Sequence, residues 1–351
     1  MSMPDSLERK LAFLRDYRAY GNAVIPIVAH ETHMSWVFLA GDRAYKLKKP
    51  VRLSYLDFST LKKREEACQA ELSLNRRLAP HVYLNVVPLR LSAAGISFGP
   101  TGDIIDWLVV MRRLDKESML DDLIGRRLLS TSQLNLLTHL LAEFYRRAPK
   151  VRMTPRRWMA RWRRALESNR TVLFNSRFTL SKAQLFRIDR SLCRFLDRRK
   201  AALAARVRSG AIVEGHGDLR PEHISMGAEL AIIDCLEFNR EFRITDPLDE
   251  IAYLSVECER LGYYQIGRQL ETSLIRQLRI GNAEELLAFF RCYRAALKAR
   301  LMLAHLLEPH PRTPEKWLPL ANTYLRIADK EARRIELILN SPTASQAIGP
   351  R

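Results

Sequence analysis

Along residues 5–20 (SLERKLAFLRDYRAYG) apolar side chains recur at the three- and four-residue spacing of a helix. The pattern then changes to strand-like alternation in VIPIVAHETHMSWVFLAGDRAYKLKK, where Gly41-Asp42 marks a hairpin turn. Helical spacing returns in LDFSTLKKREEACQAELSLNRRLAP, and NVVPLRLSAAGISFGPTGDIIDWLVVMRRLD reads as further strands separated by glycine-rich turns. Residues 1–113 are therefore expected to form a small, strand-rich α+β lobe. Beyond them the periodicity predicts long helices at about 117–126, 131–147, 155–167 and 181–208, the last opened by a Ser181-to-Gln184 capping box, and helices again from about 247 to 339. Strand character returns only in AIVEGHGDLRPEHISMGAELAIIDCLEFN. Residues 114–340 thus predict a larger, mainly helical lobe, and residues 341–351 (SPTASQAIGPR) a frayed tail.

With 351 residues, 47% of them apolar, the chain is long enough to bury a sizeable core. The start MSMPDSLERK lacks the apolar run of a signal peptide, and no stretch approaches the roughly 18 uncharged apolar residues of a membrane span. The expected location is the cytoplasm, with no membrane partner. Cys68, Cys193, Cys235, Cys258 and Cys292 lie far apart without a CxxC pair, which argues against a zinc site or disulfide framework. Charge changes the picture more. Of the net +19, residues 146–208 hold 20 Lys+Arg against Glu167, Asp189 and Asp197, a balance of +17.

The chemistry gathers in GHGDLRPEHISMGAELAIIDCLEFN. A polar turn carries His216, Asp218 and His223, and 16 residues after Asp218 a second acid, Asp234, ends the apolar run AII. An acid closing an apolar strand is costly unless paired or liganded. The spacing suits phosphoryl transfer, in which one carboxylate accepts a hydroxyl proton and a second holds the cation that bridges phosphate oxygens.

HGDLRPEH followed by IIDCLEF resembles the HGDLxxxN…IID signature of the aminoglycoside phosphotransferase and choline kinase family. That resemblance implies a two-lobed, protein-kinase-like α+β fold using ATP and Mg2+. It implies Asp218 as base, His216 as the residue ordering the catalytic turn, and Asp234 as the main metal ligand. The family's metal-binding Asn falls on His223, a poorer magnesium ligand because hard cations prefer oxygen. Either His223 touches phosphate, or the metal rests on Asp234 and Glu237, or activity is lost. Wording such as KKPVRLSYLDFSTL is similar to a little-studied bacterial branch of the family.

The family also implies a strand lysine on the nucleotide phosphates, held by a helix glutamate. AYKLKK offers Lys46 and Lys48, which point the same way on a strand; similarity favours Lys46, with Glu71 as its partner. No glycine-rich phosphate loop or GxxxxGK[ST] occurs, so Thr32 and Ser35 of the HETHMSW turn are the candidates to meet phosphate. VVMRRLD resembles the segment joining the lobes, placing adenine near Met111. In DPLDEIA, Asp246 with Asp249 or Glu250 would support the catalytic turn.

The basic segment places Trp158 and Trp162 four residues apart on a helix rich in arginine, which reads either as a solvated face over a tryptophan core or as a surface for an anion, nucleic acid or acidic partner. A +17 segment would repel polycationic aminoglycosides. The expected function is ATP-dependent phosphorylation of a hydroxyl on a neutral or anionic small molecule. The competing reading is a nucleotide-binding pseudokinase or a basic nucleic-acid- or partner-binding protein on the same scaffold.

Overall fold

The computed structural model describes residues 6–21, 24–309 and 311–341, so the opening of MSMPDSLERK and residues 342–351 of the expected tail lie outside the described residues. The chain divides into two compact units. One comprises Met1–Arg126, His216–Asp218 and Glu222–Arg243; the other comprises Arg127–Gly215, Leu219–Pro221 and Ile244–Arg351.

The first unit begins with helix α1 (Leu7–Arg15), capped by the Ser6 hydroxyl, which accepts from the Arg9 N–H. Strands β1 (Ile27–Glu31), β2 (Ser35–Ala40) and β3 (Arg43–Lys48) follow as an antiparallel meander that turns at Gly41-Asp42, as the alternation predicts. A two-residue hairpin, β4 (Arg52–Leu53) and β5 (Leu56–Asp57), leads into α2 (Leu61–Asn75). Strands β6 (Tyr83–Ser92), β7 (Gly95–Ser97) and β8 (Asp103–Arg112) complete a six-stranded antiparallel sheet in the order β1-β2-β3-β8-β6-β7.

Strand alternation assigns the two faces. Leu47 of β3 joins Leu14, Phe38, Leu89, Ile105 and Leu108 in one core, where each fully buried leucine contributes about 2 kcal/mol. Lys46 and Lys48 take the opposite face and meet Glu71 of α2. There Cys68, Val82, Tyr83, Val109 and Ala231 form a second cluster. The helix expected at 117–126 is a 3-10 turn (Lys116–Ser118) followed by short α3 (Leu120–Gly125).

In the second unit, α4 (Thr131–Arg147), α5 (Pro155–Leu173), α6 (Lys182–Arg198) and α7 (Lys200–Arg208) precede β9 (Val213–Glu214). The first unit's hairpin β10 (Ile224–Ser225) and β11 (Ala231–Ile232) comes next. The second unit then resumes with β12 (Ile244–Thr245), which pairs with β9, and with α8 (Pro247–Arg260), α9 (Tyr264–Leu278), α10 (Ala283–His305) and α11 (Pro314–Asn340).

The single helix expected over 181–208 is broken at Arg199, whose φ of −113° and ψ of 21° leave the helical region while its guanidinium reaches Glu285 and the Ile338 carbonyl. Ser181 caps α6 by accepting from the Gln184 N–H, but the Gln184 side chain donates to the Leu325 carbonyl. The reciprocal capping box belongs instead to Ser130 and Gln133 at the start of α4.

Trp158 and Trp162 lie in the core, 1% and 4% exposed, edge to face at 5.5 Å, with Phe289, Phe290 and Tyr293 around Trp162. The basic segment around them is partly neutralised within its own unit. Arg163 faces Asp197, Arg170 meets Asp189 and Glu167, and Arg187, Arg194, Arg199 and Arg206 reach Asp329, Glu336, Glu285 and Asp246. Cys68, Cys235, Cys258 and Cys292 are buried free thiols and Cys193 is half-buried. Among the described residues no helix is long and apolar enough to cross a membrane.

Candidate active site

The two lysines that share a face of β3 also share one acceptor. Lys46 Nζ donates to Glu71 Oε1 at 2.8 Å and Lys48 Nζ to Glu71 Oε2 at 2.6 Å, with Glu71 fully buried on α2. Their other contacts separate them. Lys46 continues to Asp234 Oδ1 at 2.9 Å, whereas Lys48, itself fully buried, continues to Glu237. The chain therefore holds one buried and one partly buried cation among three carboxylates, and of these carboxylates only Asp234 has a substantially exposed side chain, 44%.

Burial opposes the charge on both lysines. For Lys46, Asp234 and Glu71 override it and hold the ammonium well above the usual lysine range; for Lys48, Glu237 and Glu71 do the same. Burial likewise opposes the Glu71 carboxylate, but Lys46 and Lys48 hold its pKa below the ordinary value. Burial, reinforced by Glu71, raises Glu237, which makes Glu237 the readier of the two glutamates to take up a proton.

Asp234 sits just past β11 with φ +62°, in the left-handed region that a non-glycine residue rarely adopts. Its environment fixes it there. The Asp234 N–H donates to the Tyr83 hydroxyl at 3.1 Å, the next N–H, of Cys235, donates to Asn75 Oδ1 at 2.8 Å, and Asn75 Nδ2 donates to the Glu71 carbonyl. Arg243 Nη1 donates to the Leu236 carbonyl at 2.6 Å.

The GHGD turn is built around a neutral histidine. His216 Nε2 lies 3.0 Å from the Ile233 carbonyl, which can only accept, so Nε2 carries the hydrogen and Nδ1 accepts the Asp218 N–H at 3.3 Å. Burial drives its pKa down to about 3, helped by His223 and opposed by Asp218 and Asp234. Gly217 is required beside it: its φ is +91°, and an added Cβ would lie 3.0 Å from the Leu236 side chain. His223 Nδ1 is 2.9 Å from the Asp218 carbonyl and 3.7 Å from Asp218 Oδ2, and His223 Nε2 is 3.6 Å from Asp234 Oδ2. The imidazole thus stands between the two acids of the motif.

No family model matches the chain. Two chains from Mycobacterium tuberculosis and Mycobacterium bovis, described only as uncharacterized proteins, are 33% identical over 278 residues, covering 78% of this chain and 54% of theirs. The chain thus spans about half the length of the curated relatives it matches. Solved structures align over nearly all of it. A choline/ethanolamine kinase family protein from Mesorhizobium loti covers 97% of this chain and 96% of its own at 16% identity and TM-score 0.52. A choline kinase from Cryptosporidium parvum covers 95% and 96% at 11% and 0.55, and the GDP complex of aminoglycoside 2'-phosphotransferase-IIIa covers 94% and 99% at 15% and 0.52. The fold is that of the choline kinases and aminoglycoside phosphotransferases.

Within this kinase-like fold the expected residues do not all converge. Lys46, Glu71, Asp234, His223, Asp218 and His216 form one connected group. Glu237, expected as a metal ligand, is engaged by Lys48 and only 8% exposed. Thr32 and Ser35, expected at phosphate, close their own turn: the Thr32 hydroxyl donates to the Ser35 carbonyl and accepts the Ser35 N–H, and Ser35 is buried. Met111 lies in register between Ala44 of β3 and Tyr83 of β6.

The acids of DPLDEIA divide their work within the second unit. Asp246 caps α8 and receives a bidentate Arg206, Asp249 receives a bidentate Arg294, and Glu250 accepts from Tyr145 and lies where a Cβ on Gly215 would sit, 2.5 Å away. Tyr83 and Asn75, which hold the Asp234 backbone, were not found from sequence. Nothing local marks a strand tyrosine or a helix-end asparagine that acts more than 150 residues away.

Among the described residues no three His, Cys, Asp or Glu side chains are grouped to hold a metal by themselves. The exposed Asp234 carboxylate still suits a hard cation, because Mg2+ takes one or two protein carboxylates and fills its remaining positions with phosphate and water.

Proposed function

We propose that the chain is an ATP-dependent phosphotransferase acting on a hydroxyl group of a small, neutral or anionic molecule. The observation that carries this reading is Lys46, a partly buried cation held between the buried Glu71 and a backbone-strained Asp234 whose side chain is 44% exposed, with the Asp218 turn joined to the same group through His223. Asp218 would take the acceptor's hydroxyl proton as its oxygen attacks the terminal phosphorus and ADP leaves. His216, neutral and hydrogen-bonded at both ring nitrogens, holds that turn in place. Lys46, oriented by Glu71, would neutralise phosphate charge in a setting that needs no reorganisation. Asp234 would hold magnesium, which would supply further neutralisation of phosphate charge. Catalysis on this account is mainly positioning and charge.

The +17 balance of residues 146–208 supports an acceptor that is not polycationic. The pseudokinase reading rests on His223 at the family's Asn position, and a gain of turnover in His223→Asn would favour it. The decisive test is calorimetric titration of ATP with and without Mg2+ into wild type and Asp234→Asn. Magnesium-dependent binding that the substitution weakens is expected, and absence of ATP binding in wild type overturns the proposal.

A further inference from the structure

His223 is the one member of the group whose chemistry departs from the family signature, and its geometry gives the departure a direction. The Asp218 carbonyl, 2.9 Å from Nδ1, can only accept, so in the neutral ring Nδ1 carries the hydrogen and Nε2 presents its lone pair. That lone pair lies 3.6 Å from Asp234 Oδ2, itself an electron-rich atom. A histidine that gives its other ring N–H to a backbone carbonyl is oriented as metal-ligating histidines are. The ring has little freedom to turn away, since its side chain is 9% exposed. Asp234 is equally fixed, by Lys46 on its other oxygen and by Tyr83 on its N–H.

An imidazole nitrogen and a carboxylate oxygen facing one another form a mixed donor pair. Mg2+ gains little from the nitrogen, whereas first-row transition-metal dications accept imidazole. Among these, Mn2+ keeps the affinity for carboxylate and phosphate oxygens that a nucleotide site demands. We propose that His223 Nε2 and Asp234 Oδ2 make this site prefer Mn2+ to Mg2+. The proposal rests on the phosphotransferase reading and refines its metal.

The test uses the full chain with ADP, which binds without turning over, titrated with MnCl2 and then competed with MgCl2. Pulsed electron paramagnetic resonance reads whether a nitrogen-14 is bonded to manganese, and the continuous-wave spectrum reads free Mn2+. The wild-type Mn2+–ADP complex is expected to show directly bonded nitrogen that is lost in His223→Asn. The Mg2+ excess needed to displace half of the Mn2+ is expected to fall about tenfold in that variant. His223→Gln serves in its place if thermal melting shows that the Asn variant has not folded. No bonded nitrogen in wild type, or an unchanged displacement ratio in the folded variant, overturns the proposal. If Mg2+–ADP then still binds, the phosphotransferase reading survives it. If ADP binds with neither metal, both fall together.

Discussion

Arg291 and Lys48 are both fully buried cations, each serving more than one carboxylate, yet the clusters around them end differently. Arg291, in the second unit, meets Glu259, Glu271 and Glu331 and donates to the Ser255 hydroxyl. Its carboxylates are in turn met by Lys330, Arg268 and Arg334, and none is more than 14% exposed. The cluster around Lys46 and Lys48 has more carboxylates than cations, and it runs out to Asp234, whose side chain is 44% exposed and faces His223. Buried charge alone therefore does not distinguish the two clusters. What separates the two is a carboxylate that the network orders and that solvent still reaches.

The largest expected effect comes from the open cluster's neighbour. Asp218→Asn should lower kcat about 10,000-fold while nucleotide affinity stays within about threefold, read by steady-state kinetics beside calorimetry. Unchanged turnover would remove Asp218 from the chemistry. In the closed cluster the loss should be of stability instead. Arg291→Met leaves the buried Glu271 and Glu331 and the partly buried Glu259 with only their peripheral cations and should cost about 3–5 kcal/mol in urea unfolding, with ATP binding by the folded protein unchanged. A variant that loses activity but no stability would erase the distinction drawn above.

The same contrast operates within the open cluster. Lys46→Met should lower kcat/KM about 100-fold, and Lys48→Met should show its main effect in the denaturation midpoint. The reverse outcome would make Lys48 the phosphate lysine. The smallest effect is in pH. His216 is held at about 3 in the fold against an ordinary value near 6.5, so between those limits the unfolded chain binds a proton that the folded chain refuses. Stability should therefore be full above pH 6.5 and fall by about 2 kcal/mol on acidification to pH 5, measured as a urea midpoint, and His216→Asn should flatten that slope.

Much of this was legible before the fold. Local signals carried the Gly41-Asp42 hairpin and the core position open to Trp158 and Trp162 from their four-residue spacing, while the resemblance to the kinase family singled out Lys46, Glu71, GHGD and IID in that order. Period-two alternation placed Lys46 and Lys48 on one face but could not rank them, because the ranking depends on Asp234 and Glu237, nearly 190 residues later. The same distance hid Tyr83 and Asn75. The Ser181–Gln184 box needs the Gln184 side-chain oxygen to accept the Ser181 N–H, but that side chain is drawn to α11, where its amide donates to the Leu325 carbonyl, and at the helix break Arg199 reaches Glu285 and the Ile338 carbonyl. Tertiary partners decided each of these.

The left-handed backbone at Asp234 also sets how the proposed activity would be lost over evolutionary time. Alanine there would discard the carboxylate and also strain the main chain, whereas asparagine and glycine occupy φ near +60° at little cost. Descendants released from selection for catalysis should therefore drift first to Asn or Gly at position 234. A silent copy would then be recognisable by that one letter while the Tyr83 and Asn75 hydrogen bonds to the backbone persist.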